Sequence, residues 1–435
     1  MNLLSIGGSD PSSGAGIQSD VKSFALLDVY GLTTITAITG QNTSKFGKIE
    51  PVSKKILKNQ LDSLFSDFTI DGIKIGMVYN SEIIRTISEY LKKLNVPVVV
   101  DPVIRSTTGG MLIKKTAISD FKKYLVFNST VLTPNKFEAE FLTKSKIKTA
   151  KDLPKIGKKL LALGTKNVII TGLEFDKNHI MDFIMNEKEQ HWIKNNKIKS
   201  TNHGSGGIHS AAVTFSMACG ESILDSAKQA QEFTLEAIKS AKILGKGIEI
   251  TSNKTDKNHL ELSNAIKKFS SILQIHEAIP ECQTNFVFAK KSPKSLTDVL
   301  GISGRLVKSG NSVIKAGPLR YGGSKHVATA LLTMNKKFPH IRSAINLKYE
   351  SKTITKLEKK GFIVKNYDRT KEPNSIKSKE GSSIKWGITK IIKKSNNPPD
   401  AVFHKGDFGK EPMIIIFGAN PTEIIEKISK IFPQA

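Results

Sequence analysis

The first 172 residues alternate short, continuously apolar runs with segments whose apolar positions recur at helical spacing. Leu3–Ile6 is one such run, and it ends in a glycine-rich turn from Gly7 to Gly16. Gln18–Asp28 then places Val21, Phe24, Ala25 and Leu27 on or near one face, which predicts a helix. Leu32–Ile38, Asp71–Val78, Val96–Val103, Val131–Asn135 and Val168–Gly172 read as further strands, and Ile84–Leu94 as a helix. Buried runs of this kind, separated by helices, predict an α/β fold: a parallel sheet with helices on both faces. Ligands bind such sheets beyond the carboxyl ends of the strands. Gly8, Gln41, Met77, Asp101 and Asn135 all fall at such ends, so one site can gather them.

The pattern changes past the middle of the chain. Residues 245–258 are polar and lack a period, which marks a boundary between a first domain, 1–250, and a second, 258–435. Leu260–Leu273 is a plausible amphipathic helix. Beyond Asn285, strand-like runs (Phe286–Ala289, Ile414–Phe417) mix with helical ones (Val327–Met334, Glu423–Ile431), so the second domain is a separate α/β unit. Ile388–Pro399, with Lys390, Lys393 and Lys394, reads as a solvated helix end and loop. There is no internal repeat.

Composition narrows the class. At 435 residues with 39% hydrophobic content and 21 Phe, the chain can bury real cores. No window is apolar enough to span a membrane, and no signal peptide precedes the first strand. Two cysteines, Cys219 and Cys282, make neither a disulfide framework nor a metal cluster and fit a reduced cytoplasm. The net charge is +27, and residues 286–435 carry 29 Lys+Arg against 11 Asp+Glu. No aromatic-interleaved motif, zinc finger or helix-turn-helix accompanies that charge, so anionic small molecules are the expected partners and nucleic acid is not.

One stretch carries chemistry. His203-Gly204-Ser205-Gly206-Gly207-Ile208-His209-Ser210 runs straight into the apolar segment 211–218. Three glycines in four residues let the backbone turn tightly and approach a ligand. N–H groups at the start of a helix lack intrahelical partners, so the stretch reads as an anion hole suited to a phosphate under transfer. A glycine loop with no ligand is the alternative reading of these residues alone.

The segments GGSDPSSGAGIQSDVKSF, TAITGQNT, IKIGMV, VVVDPV, TPNKFEAEFL and HGSGG occur in order across residues 1–245. In this they resemble the hydroxymethylpyrimidine/phosphomethylpyrimidine kinases of thiamine synthesis, which have the ribokinase-like fold. LTDVLGISGRLV, GPLRYGGSKHVATALL, RSAINLKY and HKGDFGKEPMIIIFG, across residues 260–435, resemble the archaeal-type thiamine-phosphate synthase domain. Fusions of the two occur in archaea.

The resemblance implies MgATP-dependent phosphorylation of hydroxymethylpyrimidine, its phosphate, or both, with ATP as substrate and Mg²⁺ as cofactor. Asp101 and Glu138 would organise the ion, largely through water. Asn135 and Thr171 would face the nucleotide phosphates, and Gly204, Ser205, Gly206 and Gly207 the transferred group. Gln41 would hydrogen-bond the aminopyrimidine, Met77 would pack on its face, and Asp10 would orient the substrate or cap a helix. Two positions depart from the family. Gly207 stands where a reactive cysteine is expected, and Thr171 where a lysine is.

For the second domain the resemblance implies joining a pyrimidine diphosphate to a thiazole phosphate, with release of pyrophosphate. Arg305 and His326 match the catalytic positions; Arg320, Ser324, Asn346 and Lys410 are candidates for phosphate or pyrimidine contact. For Arg320, Asn346 and Lys410, surface pairing or turn chemistry is the competing reading. The whole is expected to be a cytoplasmic homo-oligomer working on small molecules. A kinase domain that only binds ligand, and a non-enzymatic sensor of thiamine phosphate, remain as alternatives.

Overall fold

The apolar runs of the N-terminal half pair into one nine-stranded sheet in the computed structural model. The structure describes residues 1–92, 94–106, 110–198, 202–251, 256–373, 382–407 and 410–432. The chain divides into two compact units, Met1–Lys254 and Thr255–Ala435. Residues 252–255 of the expected boundary, 199–201 ahead of the glycine-rich stretch and 408–409 of the last quoted segment lie outside the described residues.

The first sheet comprises β1 (Asn2–Ser9), β2 (Tyr30–Gln41), β3 (Phe46–Pro51), β4 (Gly72–Ile75), β5 (Val98–Val100), β6 (Val131–Leu132), β7 (Asn167–Leu173), β8 (His179–Asn186) and β9 (Gln190–Asn196). Its order is β3-β2-β1-β4-β5-β6-β7-β8-β9. The six strands from β2 to β7 run parallel, as the buried apolar runs predict. The sheet is not wholly parallel, however. β3, β8 and β9 add antiparallel edges. β9 is half-solvated, with alternating exposed and partly exposed residues, so it lacks the continuous apolar run that marks a central strand.

Helices cover both faces. Val100, Leu132 and Val168 pack beneath α2 (Lys54–Asp67), α3 (Ser81–Leu91), α4 (Lys136–Thr143) and α5 (Leu153–Leu161). Their neighbours Val99, Val131 and Ile169 face α6 (Ser205–Ala218) and α7 (Ile223–Lys239). The helix expected at 18–28 is α1 (Gly16–Leu26), and the one expected at 84–94 is α3, which starts where the Asn80 side chain accepts from Ile83 N at 3.0 Å. A short ribbon, β10 (Asn202–His203) with β11 (Glu249–Ile250), anchors the chain ahead of α6.

Register makes the site. Ile6 pairs with Ile75, Ile75 with Val100, Val100 with Leu132, and Leu132 with Val168. Asp10, Met77, Asp101, Asn135 and Thr171 follow this row by one to four residues, at the carboxyl ends of five adjacent strands.

The C-terminal unit is built on β12 (Phe286–Ala289), β13 (Val299–Ile302), the hairpin β14 (Leu306–Ser309) with β15 (Ser312–Lys315), β16 (Leu319–Tyr321), β17 (Ser343–Lys348), β18 (Val364–Asn366), β19 (Ala401–His404) and β20 (Met413–Gly418). Its main sheet has the order β16-β13-β12-β17-β20-β19-β18, antiparallel except between β18 and β19. Helices α8 (Lys257–Ser271), α10 (Ser351–Lys359) and α12 (Pro421–Ser429) lie on one face; α9 (His326–Asn335) and α11 (Ser382–Lys393) lie on the other. The segment from Ile388 is therefore more than a solvated helix end. Lys390, Lys393 and Lys394 are exposed, but Ile388, Ile391 and Ile392 are core. The dense lysines masked the apolar stripe between them.

Candidate functional site

In the N-terminal unit, Gly204 precedes α6 at φ +97, and a Cβ there would lie 1.8 Å from Gly14 O. Only glycine fits, and the first N–H groups of α6, which follow the turn, lack intrahelical partners. The carboxylate of Asp10, 1% exposed, closes the facing loop. It accepts from Ser12 N at 2.9 Å, Ala15 N at 2.8 Å and Ser12 Oγ at 2.8 Å, and lies 3.2 Å from His203 Nε2. Burial raises its pKa, but bonds from His203, Ser12 and Gln41 outweigh that and hold the carboxyl well below the carboxylate range. Met77 is buried beside Gly8, whose Cβ would meet Met77 Sδ at 2.8 Å. Asp10, Gln41, His203 and Met77 therefore share one corner beside the glycine turn.

Asp101 lies under the same turn, where Ser210 Oγ donates to its Oδ2 at 2.9 Å. Burial raises its carboxyl above the ordinary range, against the pull of Lys74 and Ser210. Glu138 is raised well above by burial and then by the charge of Asp101. Both Glu138 oxygens are engaged: Oε1 accepts from Ile104 N at 3.3 Å and Oε2 from Asn135 N at 3.0 Å. Asn135 Oδ1 in turn accepts from Glu138 N at 3.0 Å, a reciprocal cap at the start of α4. Asn135 is exposed, and its backbone forms an isolated parallel bridge with Thr171.

In the C-terminal unit, Arg305 adopts φ +66 and its Nη1 donates to Cys282 O. That corner is braced by Glu411, which accepts from Glu281 N at 2.8 Å and Cys282 N at 2.9 Å. Arg320 Nε donates to Ser303 Oγ, just past the end of β13. Ser324 is buried against Gly301, where a Cβ would lie 3.0 Å from Ser324 Cβ and 3.2 Å from Asn285 Oδ1. His326 is exposed at the first position of α9, whose N–H groups suit an anion. Asn346 departs from the expected ligand contact. Its Oδ1 accepts from Asn285 N at 2.7 Å, its Nδ2 donates to Gln283 O at 2.9 Å, and at 3% exposure it clamps β12 to β17. Lys410 N donates to Asp407 O at 2.8 Å, so its backbone forms a turn while the side chain is exposed.

The sequence profile of the family described as phosphomethylpyrimidine kinase matches residues 10–253, and that of thiamine-phosphate synthase ThiN matches residues 261–430. The bifunctional thiamine biosynthesis protein ThiDN of Methanocaldococcus jannaschii is 31% identical, over 99% of this chain and 98% of that protein. The chain belongs to this bifunctional family. Its C-terminal unit is 35% identical to the thiamine-phosphate synthase ThiN of Methanothermobacter thermautotrophicus, over 40% of this chain and 92% of that protein. Its kinase unit has the ribokinase-like fold of the ADP complex of Bacillus subtilis pyridoxal kinase, at TM-score 0.53 and 31% identity over 58% of this chain and 96% of that one.

Sequence reasoning missed two features of this kinase–synthase. Lys74 and Asp20 form a buried ion pair at 2.6 Å in the kinase unit. The signal was a lysine inside the apolar run Ile73-Lys74-Ile75, since a buried lysine needs a partner. In the synthase unit, His404 is buried against the Tyr367 ring at 5.3 Å, near the Arg369–Glu372 pair at 3.8 Å. Burial, and then the Arg369 cation, lowers the His404 pKa from 6.5 to about 4.

The sign of the resulting pH effect follows. A histidine kept neutral in the fold costs stability once the unfolded chain takes up a proton. Stability of the synthase unit is therefore full above 6.5 and declines as pH falls to about 4. The loss amounts to roughly 3 kcal/mol. Thermal melts across that window are expected to fall steeply for the parent and less steeply for His404→Gln. Parallel slopes would remove His404 as the cause.

Proposed function

We propose that the kinase unit transfers the γ-phosphoryl group of MgATP to hydroxymethylpyrimidine phosphate, and that the synthase unit condenses the diphosphate product with thiazole phosphate. The observation that carries the first half is the Gly204 turn at the start of α6, next to the corner where Asp10, Gln41 and His203 meet. Backbone donors at Gly204, Ser205, Gly206 and Gly207 hold the transferred phosphoryl group. Gln41, itself bonded to Asp10, reads the aminopyrimidine, and Met77 supports its face. Asn135 and Thr171 contact the nucleotide.

The buried acids fit Mg²⁺. Burial raises the proton affinity of both Asp101 and Glu138, and the Asp101 charge raises that of Glu138 further, which a bound cation would offset. Among the described residues no group of three or more His, Cys, Asp or Glu side chains converges as a direct cage. Asp101 would hold the ion, and Glu138, its oxygens committed to backbone, would contribute charge. When bound, Mg²⁺ would supply charge neutralisation for the nucleotide phosphates.

In the synthase unit Arg305 and His326 grip the leaving pyrophosphate, with Arg320 and the Ser324–Lys325 turn ahead of α9 adding anion contacts. Asn346 positions β12 and β17 for that site. Lys410 lies in the loop braced through Glu411. The protein works on small molecules, and no helix among the described residues is long and apolar enough to cross a membrane. A cytoplasmic homo-oligomer is part of the reading, and sedimentation tests the assembly.

A coupled assay tests the whole. Hydroxymethylpyrimidine phosphate, thiazole phosphate and MgATP are supplied to the purified protein, and thiamine phosphate is expected. Product only from ready-made pyrimidine diphosphate would reduce the kinase unit to a ligand-binding module. No product from either start would sink the synthase reading.

A further inference from the structure

The glycine-flanked lysine Gly245-Lys246-Gly247 lies in a strap that the phosphoryl chemistry does not use. The strap follows α7 and runs from Lys242 to Thr251, at the close of the kinase unit. Its base is closed on itself. Lys242 N donates to Ile250 O at 3.0 Å, and Ile250 N donates to Lys242 O at 2.9 Å. Residues 242–246 are exposed, and only Ile250 and Thr251 are buried. The strap therefore adds little core of its own.

It nevertheless meets three walls of the substrate corner. At the Gln41 side, Gly247 N donates to Thr43 Oγ1 at 3.1 Å and Ile248 N to Thr43 O at 3.0 Å. The approach is close enough to require glycine. A Cβ at Gly247 would lie 2.0 Å from Thr43 O, and one at Gly245 would lie 2.5 Å from Thr43 Oγ1. Thr43 lies in the turn between β2, which ends at Gln41, and β3. At the Gly204 side, Ile250 pairs with His203, and Thr251 Oγ1 donates to His203 O at 2.8 Å. A Cβ at Gly204 would lie 3.2 Å from Thr251 Oγ1. At the Asp10 side, a Cβ at Gly14 would meet Ile250 Cγ1 at 3.5 Å. One strap thus joins the loop after Gln41, the loop of Asp10 and the turn of Gly204.

We propose that the strap positions the pyrimidine acceptor: by tying Thr43 to His203 it fixes the spacing of the corner that Gln41 and Asp10 present. This rests on the kinase reading above. Gln41 and His203 both bond the Asp10 carboxylate, so a shift of either one moves the group that orients the substrate. Displacement of a reacting group by about 1 Å can cost about 10²-fold in rate. Thr43 and Thr251 act through Gln41 and His203, so they are positioning residues. Asn135 and Thr171 sit at β6 and β7, separated from β1 by β4 and β5. Loss of the strap bonds is therefore felt by the acceptor and not by ATP.

Steady-state kinetics of the full chain test this, with hydroxymethylpyrimidine phosphate and MgATP varied in turn. Thr43→Val removes the acceptor of the Gly247 N–H, and Thr251→Val removes a donor to His203 O. Each is expected to raise KM for the pyrimidine phosphate roughly three- to tenfold, the scale of one hydrogen bond. KM for ATP should stay. Thr43→Ser and Thr251→Ser keep the hydroxyl and should restore the parental value. Combining the two valine substitutions should raise KM by less than the product of the single effects, because a strap freed at one end no longer carries the other. Gly247→Ala, whose Cβ cannot stay 2.0 Å from Thr43 O, should lower kcat/KM by about 10²-fold. Synthesis from ready-made diphosphate should not change in any of them, since the synthase unit has its own core. An unchanged pyrimidine KM in both valine variants, or an equal rise in both KM values, would overturn the proposal. Multiplicative effects would dissolve the strap into two independent contacts and overturn it as well. Should Gly247→Ala fail to fold, the valine and serine series decides alone. A parent that forms no diphosphate from MgATP, while ready-made diphosphate still yields thiamine phosphate, would instead remove the kinase reading itself.

Discussion

Gly204→Ala is expected to lower kcat/KM of the phosphorylation by about 10²–10³-fold and to leave synthesis from ready-made pyrimidine diphosphate unchanged. Two physical effects add. The residue sits at φ +97, where an L side chain is strained, and its Cβ would lie 1.8 Å from Gly14 O. Relief of the clash has to move either the Gly204 turn or the loop that carries Asp10. Either movement separates the N–H donors from the corner where Asp10, Gln41 and His203 meet. The synthase unit has its own core, so its reaction serves as the internal control. The measurement is a pair of half-assays, ATP consumption with the pyrimidine phosphate and thiamine phosphate formation from the diphosphate. Near-parental ATP consumption in this variant would show that the glycine turn is not the anion hole.

Arg305→Ala should have the opposite pattern. Thiamine phosphate formation is expected to fall by about 10²–10³-fold, the scale of losing one donor to developing negative charge. ATP consumption should not change. Arg305→Lys should recover little of the loss, since a lysine lacks the planar fork that grips two phosphate oxygens. The positive φ of Arg305 and the bond from its Nη1 to Cys282 O fix where that fork starts, and Glu411 braces the Cys282 backbone in turn. Glu411→Gln should therefore weaken the synthase less than Arg305→Ala, through looser placement of the same group. His326→Ala should resemble Arg305→Ala. Unchanged synthase rates in both would remove these two residues from the chemistry and shift attention to Arg320 and Ser324.

The two halves of the chain differ in how much their residues announce. Strands β1, β4, β5 and β6 are continuous apolar runs because both of their faces are covered, so periodicity finds them. The glycines at 204, 206 and 207 mark a turn because few other residues permit one. Strands β3 and β9 were not legible, since half-solvated edge strands share their polarity with loops. The helix at 382–393 was hidden for a related reason, with lysines interleaved among its core isoleucines. Asn346 is a different case: a polar residue in a family-like segment reads as a contact, and in the structure its amide serves the backbone of Asn285 and Gln283.

What the residues determined alone was the central strands, most of the helices, the presence of two units, and the glycine turn at Gly204. These depend on short-range rules: apolar period, glycine tolerance and helix-start donors. What only the tertiary structure decided was which groups share a corner. His203 meets Asp10 across 193 positions, Ser210 meets Asp101 across 109, and Lys74 meets Asp20 across 54. Strand order and register set those pairs, and both arise from packing of the whole sheet. The strap that meets both Thr43 and His203 belongs to the same class: it depends on what lies opposite, which no local pattern records.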